Sequence, residues 1–262
     1  MKKTTMTIFL ICMLSLPFVA SSFAQKGGKG NGKGGGNQGQ TGTCEMVAAL
    51  PLEELSVAEE HSITLMREEE KLARDVYLTL SEDWDLNIFA NIARSEQRHM
   101  DAVGTLIAKY GLSDPVVDDT VGAFTDAELD GLYDYLVVEG RKSVVDALLV
   151  GAAIEDLDIG DLMEALEVVD NADIQMVFEN LLQGSANHYA AFTRLLAGWG
   201  ESYEPEYFDV EELEAILSTL PEKGRRGKGS NSMSRRGGQG RGSAQGPRDG
   251  SGPGDGSCPF DN

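Results

Sequence analysis

Four stretches of this chain repeat apolar residues at alternating steps of three and four, and each repeat carries a carboxylate, an imidazole or both near its middle. Such spacing keeps one helix face toward a partner, so it predicts four long helices packed lengthwise. The first stripe is Ile63, Met66, Glu70, Ala73, Tyr77 and Leu80. The second is Phe89, Ile92, Glu96, His99, Val103, Leu106 and Tyr110. The third runs Leu148, Gly151, Glu155, Ile159, Leu162 and Leu166. The fourth runs Ile174, Phe178, Leu181, Ser185, His188, Phe192, Leu195 and Trp199.

Punctuation between the stripes sets the topology. Ser56-Val57-Ala58-Glu59 reads as a capping box opening the first helix, and Gly111 with Pro115 stops the second. Residues 111–125 read as a loop. Thr125-Asp126-Ala127-Glu128 reads as a second capping box, opening a short helix that Gly140 ends. The third long helix starts near Ser143, Asp170 and Asp173 are the expected caps of the fourth, and a last short helix begins near Asp209. No alternation of strand type has useful length. Short connections make each consecutive pair antiparallel, and the long one makes an all-α four-helix bundle with one crossover between its second and third helices, plus short accessory helices.

Residues 44–221 hold this bundle. Residues 1–24 read as a signal peptide: Lys2 and Lys3, an apolar run from Ile8 to Ala20, then Ser22-Phe23-Ala24 at the cleavage point. The run is too short to span a bilayer, and Cys12 lies in no lipoprotein-type cleavage box. Export to a periplasmic or extracellular bacterial compartment is the expectation, with no membrane attachment after cleavage. Residues 25–43 are rich in Gly and Lys, and 222–262 in Gly, Arg and Ser; neither can bury enough apolar surface to fold, so both are expected to be disordered. Cys44 and Cys258 flank the core and suggest one disulfide, with two independent thiols as the alternative. No CxxC pair exists, which removes a thiolate zinc site and a thioredoxin-type redox pair.

The core carries 9 Lys and Arg against 39 Asp and Glu. That balance argues against nucleic acid at the bundle and favours cations. Carboxylates on a bundle seam are seldom buried unless paired or metal-bound. Glu70, Glu96, Glu155 and His188 stand one to a stripe at similar heights, and His99 joins Glu96 in a Glu-x-x-His step that places both on one helix face. Di-iron and di-manganese bundles use one Glu from each of two helices and Glu-x-x-His from each of the other two. Here the fourth helix has Ser185 where that pattern has Glu, and Asp158, three residues after Glu155, is a candidate to compensate. The metal-ligand candidates are therefore Glu70, Glu96, His99, Glu155, His188 and Asp158. Each has a plainer alternative: a hydrogen-bonded polar cluster for the set, a solvated run for Glu68-Glu69-Glu70, ordinary core roles for Tyr77 and Tyr110. His61, in the first turns of its helix, reads as surface. Asp156-Leu157-Asp158-Ile159-Gly160 lacks the spacing and terminal Glu of a calcium loop.

Glu70-Lys71-Leu72-Ala73-Arg74-Asp75-Val76-Tyr77 resembles the first metal-binding helix of rubrerythrins, and Ala93-Arg94-Ser95-Glu96-Gln97-Arg98-His99 resembles the second. Ile154-Glu155-Asp156-Leu157-Asp158 is similar to the third. Over residues 56–200 the chain most resembles an uncharacterised ferritin-like family, domain of unknown function 2202. The resemblance implies a ferritin-like fold and a di-iron centre acting on peroxide or dioxygen, with a mononuclear site and Mn as alternatives. It also implies a rubredoxin-like iron site as electron source, for which this chain has no cysteine pairs. Two functions follow as expectations: a metal-dependent oxidoreductase, or a non-catalytic binding or scaffolding module with a structural metal or a degenerate site. The expected partners are metal ions and peroxide or dioxygen, with a second copy of the chain as a candidate.

Overall fold

The computed structural model describes residues 40–220. Seven helices and no strands occur among them: α1 (Gln40–Ala49), α2 (Val57–Asp83), α3 (Asn87–Tyr110), α4 (Ala127–Gly140), α5 (Val144–Val168), α6 (Ala172–Trp199) and α7 (Val210–Thr219). None of these is long and apolar enough to cross a membrane. The segment expected as a signal peptide, the expected C-terminal tail from 222 and Cys258 lie outside the described residues. Cys44 is disulfide-bonded.

The four long helices are those the stripes mark. α2 pairs antiparallel with α3, and α5 with α6. Residues 111–126 and α4 return the chain to the end where α3 began, so α5 runs parallel to α3. Every member of the first stripe is buried, Glu70 and Tyr77 included. The fourth stripe drifts: Leu196 is buried, Leu195 only half-buried, and Trp199 is exposed. A straight helix turns 3.6 residues, so a 3-4 repeat rotates off the seam over the 28 residues of α6.

Several ends differ from expectation. Asp126, not Thr125, caps α4, accepting from the amides of Glu128 (2.7 Å) and Leu129 (3.3 Å). Neither Asp170 nor Asp173 supplies the expected cap of α6. Its N-cap position is Asn171, without a side-chain cap bond. Glu59 serves instead. Its Oε2 closes the capping box on the Ser56 amide (2.9 Å), while Oε1 accepts from the amides of Asp170 (3.2 Å) and Asn171 (3.1 Å). Asp173 holds Lys109 (2.6 Å) and Tyr110 (2.8 Å).

Helix α1 has no apolar period to signal it. It begins at Gln40, inside the stretch expected as linker. Lys109 anchors its end, donating from Nζ to the carbonyls of Val47 (3.0 Å), Leu50 (3.0 Å) and Pro51 (2.9 Å). A cation there satisfies carbonyls that the helix leaves unpaired and opposes its dipole.

Glu59 thus joins two helix starts with one buried carboxylate. Burial pushes its pKa up, but the hydrogen bonds from Ser56, Asn171 and Asp170 outweigh this and hold it below the usual carboxylate range. A depressed folded-state pKa gives stability that is complete above the ordinary carboxylate range and is lost as pH falls through the folded value. Glu59→Gln is expected to cost about 1–3 kcal/mol at neutral pH, the cost of weakening charge-assisted bonds to buried amides. The gap to the parent protein should close in acid. Urea melts of both proteins at pH 7 and pH 3 measure it; a gap that stays constant would contradict the assigned role.

Candidate metal centre

Midway along the bundle the apolar core is interrupted. One cluster fills the end containing Tyr77, Phe89, Leu148 and Phe192, and a second fills the end containing Ile63, Val103, Leu162 and Phe178. Between them α2 presents Glu70, α3 Glu96 and His99, α5 Glu155 and Asp158, and α6 Ser185 and His188. All but the two histidines are buried, and those are nearly so.

Glu96 is the hub. Its Oε2 lies 2.8 Å from His99 Nδ1 and its Oε1 2.8 Å from His188 Nδ1. His99 Nδ1 is also 3.2 Å from Glu70 Oε2, and His188 Nδ1 is 3.4 Å from Glu155 Oε2. The two imidazoles lie stacked, 5.6 Å between centroids. Two triads result, Glu70–Glu96–His99 and Glu96–Glu155–His188, each with one ligand atom per residue within 4.8 Å of the others. They share Glu96.

Five of the six sequence-expected ligands therefore converge. Asp158 belongs to neither triad. It accepts a short hydrogen bond from Ser185 Oγ, which fills the position where the di-metal pattern has a carboxylate. Tyr77 reaches in from α2 and donates to Glu155 Oε1 (2.6 Å), fixing that carboxylate's rotamer. Tyr110 stands at the far apolar end on Asp173, away from the centre. His61 is exposed, as expected. The Asp156–Gly160 run is mid-helix: Asp156 accepts from Tyr203 OH (2.9 Å) and the amides of Glu206 (2.7 Å) and Tyr207 (3.1 Å), so it anchors the segment before α7.

The electrostatics are those of an overcrowded anionic site. Burial, then the charges of Asp158, Glu96 and Glu155, hold the Glu70 carboxyl well above its ordinary range. Burial and then Glu155 push Asp158 up to about 7. Burial and Glu96 also raise Glu155, against His188 and Tyr77. Burial favours neutral His188, yet Glu96 and Glu155 outweigh it and raise the imidazole to about 11. Burial would raise Glu96 too, but His188 and His99 reverse that and hold it well below the carboxylate range.

Glu70 Oε1, Glu96 Oε1, Asp158 Oδ1 and His188 Nδ1 are buried without a hydrogen-bond partner. Glu96 Oε1 and His188 Nδ1 are 2.8 Å apart and still make no aligned hydrogen bond. Buried polar atoms are normally satisfied, and orphans ask for an explanation such as a missing ion or water. Hard carboxylate oxygens with imidazole nitrogens form a donor set suited to Fe or Mn.

Three supporting features escaped the sequence reading. Lys71, Arg74 and Asp75 are buried on the outer side of α2 beneath the crossover. Asp75 accepts from Lys71 Nζ (2.5 Å), Arg74 Nε (2.8 Å) and the Gly122 amide (3.0 Å). The Lys71–Asp75 spacing of four was the available signal. Glu69 buries Oε2 without a partner, so the Glu68-Glu69-Glu70 run is not simply solvated. Gly184 faces His99, where a Cβ would come 2.5 Å from Nε2. Gly184→Ala should therefore displace the imidazole from Glu70 and Glu96, although Ala gains up to about 1 kcal/mol of helix propensity. Unchanged His99 imidazole resonances by NMR would contradict this.

The bundle and its shared-carboxylate centre define a class of helical protein with a polar, ligand-rich layer across its core. The chain belongs to the family described as uncharacterised protein domain DUF2202, whose model matches residues 59–220. It is 52% identical over 180 residues to the uncharacterised protein MJ0754 of Methanocaldococcus jannaschii, a match covering 69% of this chain and 97% of the relative. The crystal structure of hypothetical protein MJ0754 from Methanococcus jannaschii is similar, with a TM-score of 0.62 and 52% identity over 66% of this chain and 98% of that one.

Proposed function

We propose that this protein is an exported, ferritin-like, rubrerythrin-like oxidoreductase that holds one or two Fe or Mn ions in its core and acts on peroxide or dioxygen. The observation that carries the reading is Glu96, whose two oxygens each face an imidazole nitrogen and tie two triads into one centre. Glu70 and His99 would hold one ion, Glu155 and His188 the other, and Glu96 both. Bound there, such a metal supplies reversible one-electron chemistry and a coordination position for the oxidant.

The chain's own groups do the rest. Tyr77 orients Glu155 through its 2.6 Å bond and is enclosed by apolar side chains, with the Phe192 ring centroid 5.5 Å from its own. Asp158, at about 7, can hold a proton near neutral pH and keeps Oδ1 unpartnered. The two apolar clusters keep bulk water from both ends of the layer.

Protein purified without chelator should carry Fe or Mn by elemental analysis and release it in chelator. Returning the metal should raise the melting temperature, because an ion at a hundred times its dissociation constant adds about 2.7 kcal/mol. Metal-free protein whose melting ignores Fe and Mn would sink the proposal. Ser185 favours a second reading, a structural ion in a non-catalytic module, since a hydroxyl bonded to Asp158 replaces a carboxylate ligand. Metal-loaded protein without peroxide consumption would favour that reading.

A further inference from the structure

On the flank of the bundle, away from the metal layer, a groove of about 630 Å³ lies between α5, α6, the segment 206–209 and α7. Its floor is apolar: Met163, Leu166, Phe208 and Ile216 are all half-buried. Its rim carries Glu164, Glu167, Glu179, Glu206, Asp209 and Glu212, and among the described residues no Lys or Arg lines it. Like charges gathered around an apolar trough repel one another and favour a cationic occupant. The last described residue, Leu220, lines this same groove. The chain continues Pro221-Glu222-Lys223-Gly224-Arg225-Arg226-Gly227-Lys228, five of whose residues other than glycine and proline include four cations. Arg226 is six residues past Leu220, so it stays within about 20 Å of the groove even if fully extended. A short tether of this kind gives millimolar effective concentration.

We propose that residues 221–228 of this chain are the occupant of the groove, held by Lys223, Arg225, Arg226 and Lys228 against its carboxylate rim. The contact is electrostatic and exposed, so salt weakens it and added charge of the wrong sign releases it. It is independent of the metal centre.

The test uses the full mature chain at low micromolar concentration. Carbodiimide coupling, which joins an amine to a carboxylate in direct contact, should link Lys223 or Lys228 to rim residues within one molecule. Trypsin should cut after Arg225 and Arg226 at least about fivefold more slowly than after Arg235 and Arg236, in line with a tethered contact. The protection should vanish in 0.5 M salt (a Debye length of roughly 4 Å). Glu164→Lys with Glu167→Lys, both exposed on α5, should abolish it, and Arg225→Glu with Arg226→Glu in that background should restore the contact, read by coupling of Lys223 or Lys228 to the remaining rim carboxylates. Equal cleavage at both arginine pairs overturns the proposal, as do links that join two copies of the chain instead of closing within one.

Discussion

Asp75→Asn is expected to lower the unfolding free energy by about 3–5 kcal/mol, the cost of removing one partner from a buried ion pair. The carboxylate is fully buried and faces two cations that are buried with it, Lys71 and Arg74. An amide keeps the shape and loses the charge, removing the buried counter-ion that Lys71 and Arg74 share. Lys71 retains the uncharged Thr120 carbonyl (3.1 Å), and Arg74 retains Gln97 (2.7 Å) and the exposed Asp119 carboxylate. The amide of Gly122 also weakens its hold, so the crossover should loosen with the core intact. Asp119→Asn is the control. That residue pairs with the same Arg74 (2.7 Å) but is 63% exposed, so its loss should cost less than about 1 kcal/mol. Chemical denaturation of the three proteins measures the difference, and near-equal midpoints for Asp75→Asn and the parent would refute the network's importance.

Glu96→Gln should weaken metal binding by more than about 100-fold. Loss of residues that merely orient ligands costs 10–100-fold, and Glu96 faces both histidines itself. Both triads contain it, so neither half should load. Asp158→Asn, outside the triads, should load normally. Isothermal titration of metal-free protein with Mn(II) compares them. If Glu96→Gln keeps full stoichiometry while Asp158→Asn loses it, the ligand assignment has been made on the wrong carboxylate. A second readout is independent of metal. Glu96 is first among the charges that raise His188, so the His188 titration seen by NMR should fall from about 11 toward its ordinary range in the variant.

The seams were legible in the sequence because helix burial leaves a 3-4 signature, and all six residues of the α2 stripe are buried as that signature requires. Glu70, Glu96, His99, Glu155 and His188 were legible for the converse reason: charge on an apolar stripe violates the pattern. What the stripes could not carry were contacts made off the seam. Residues 70–77 are buried without a break, and only the crossover folded over α2 makes them so. Glu59 bonding across to Asp170 and Asn171 joins residues 111 and 112 positions apart, which no local motif encodes. Asp158 turned toward Ser185 is similarly a choice between two partners that spacing leaves equal. The drift of the fourth stripe at Trp199 shows the limit from the other side, since a repeat of seven residues and a helix of 3.6 per turn part company over such a length.

The polar layer divides the core into two apolar halves, one at each end of the bundle. Cooperativity between the halves must then pass through the helix backbones and through whatever neutralises the layer. Without an ion, raised carboxyls such as Asp158 make the junction more costly as pH rises through about 7, because a folded-state pKa above the unfolded one means stability lost on deprotonation. Native-state hydrogen exchange should then resolve two foldons, with amides near Leu148 and near Leu162 opening at different free energies, and a bound ion should merge them into one.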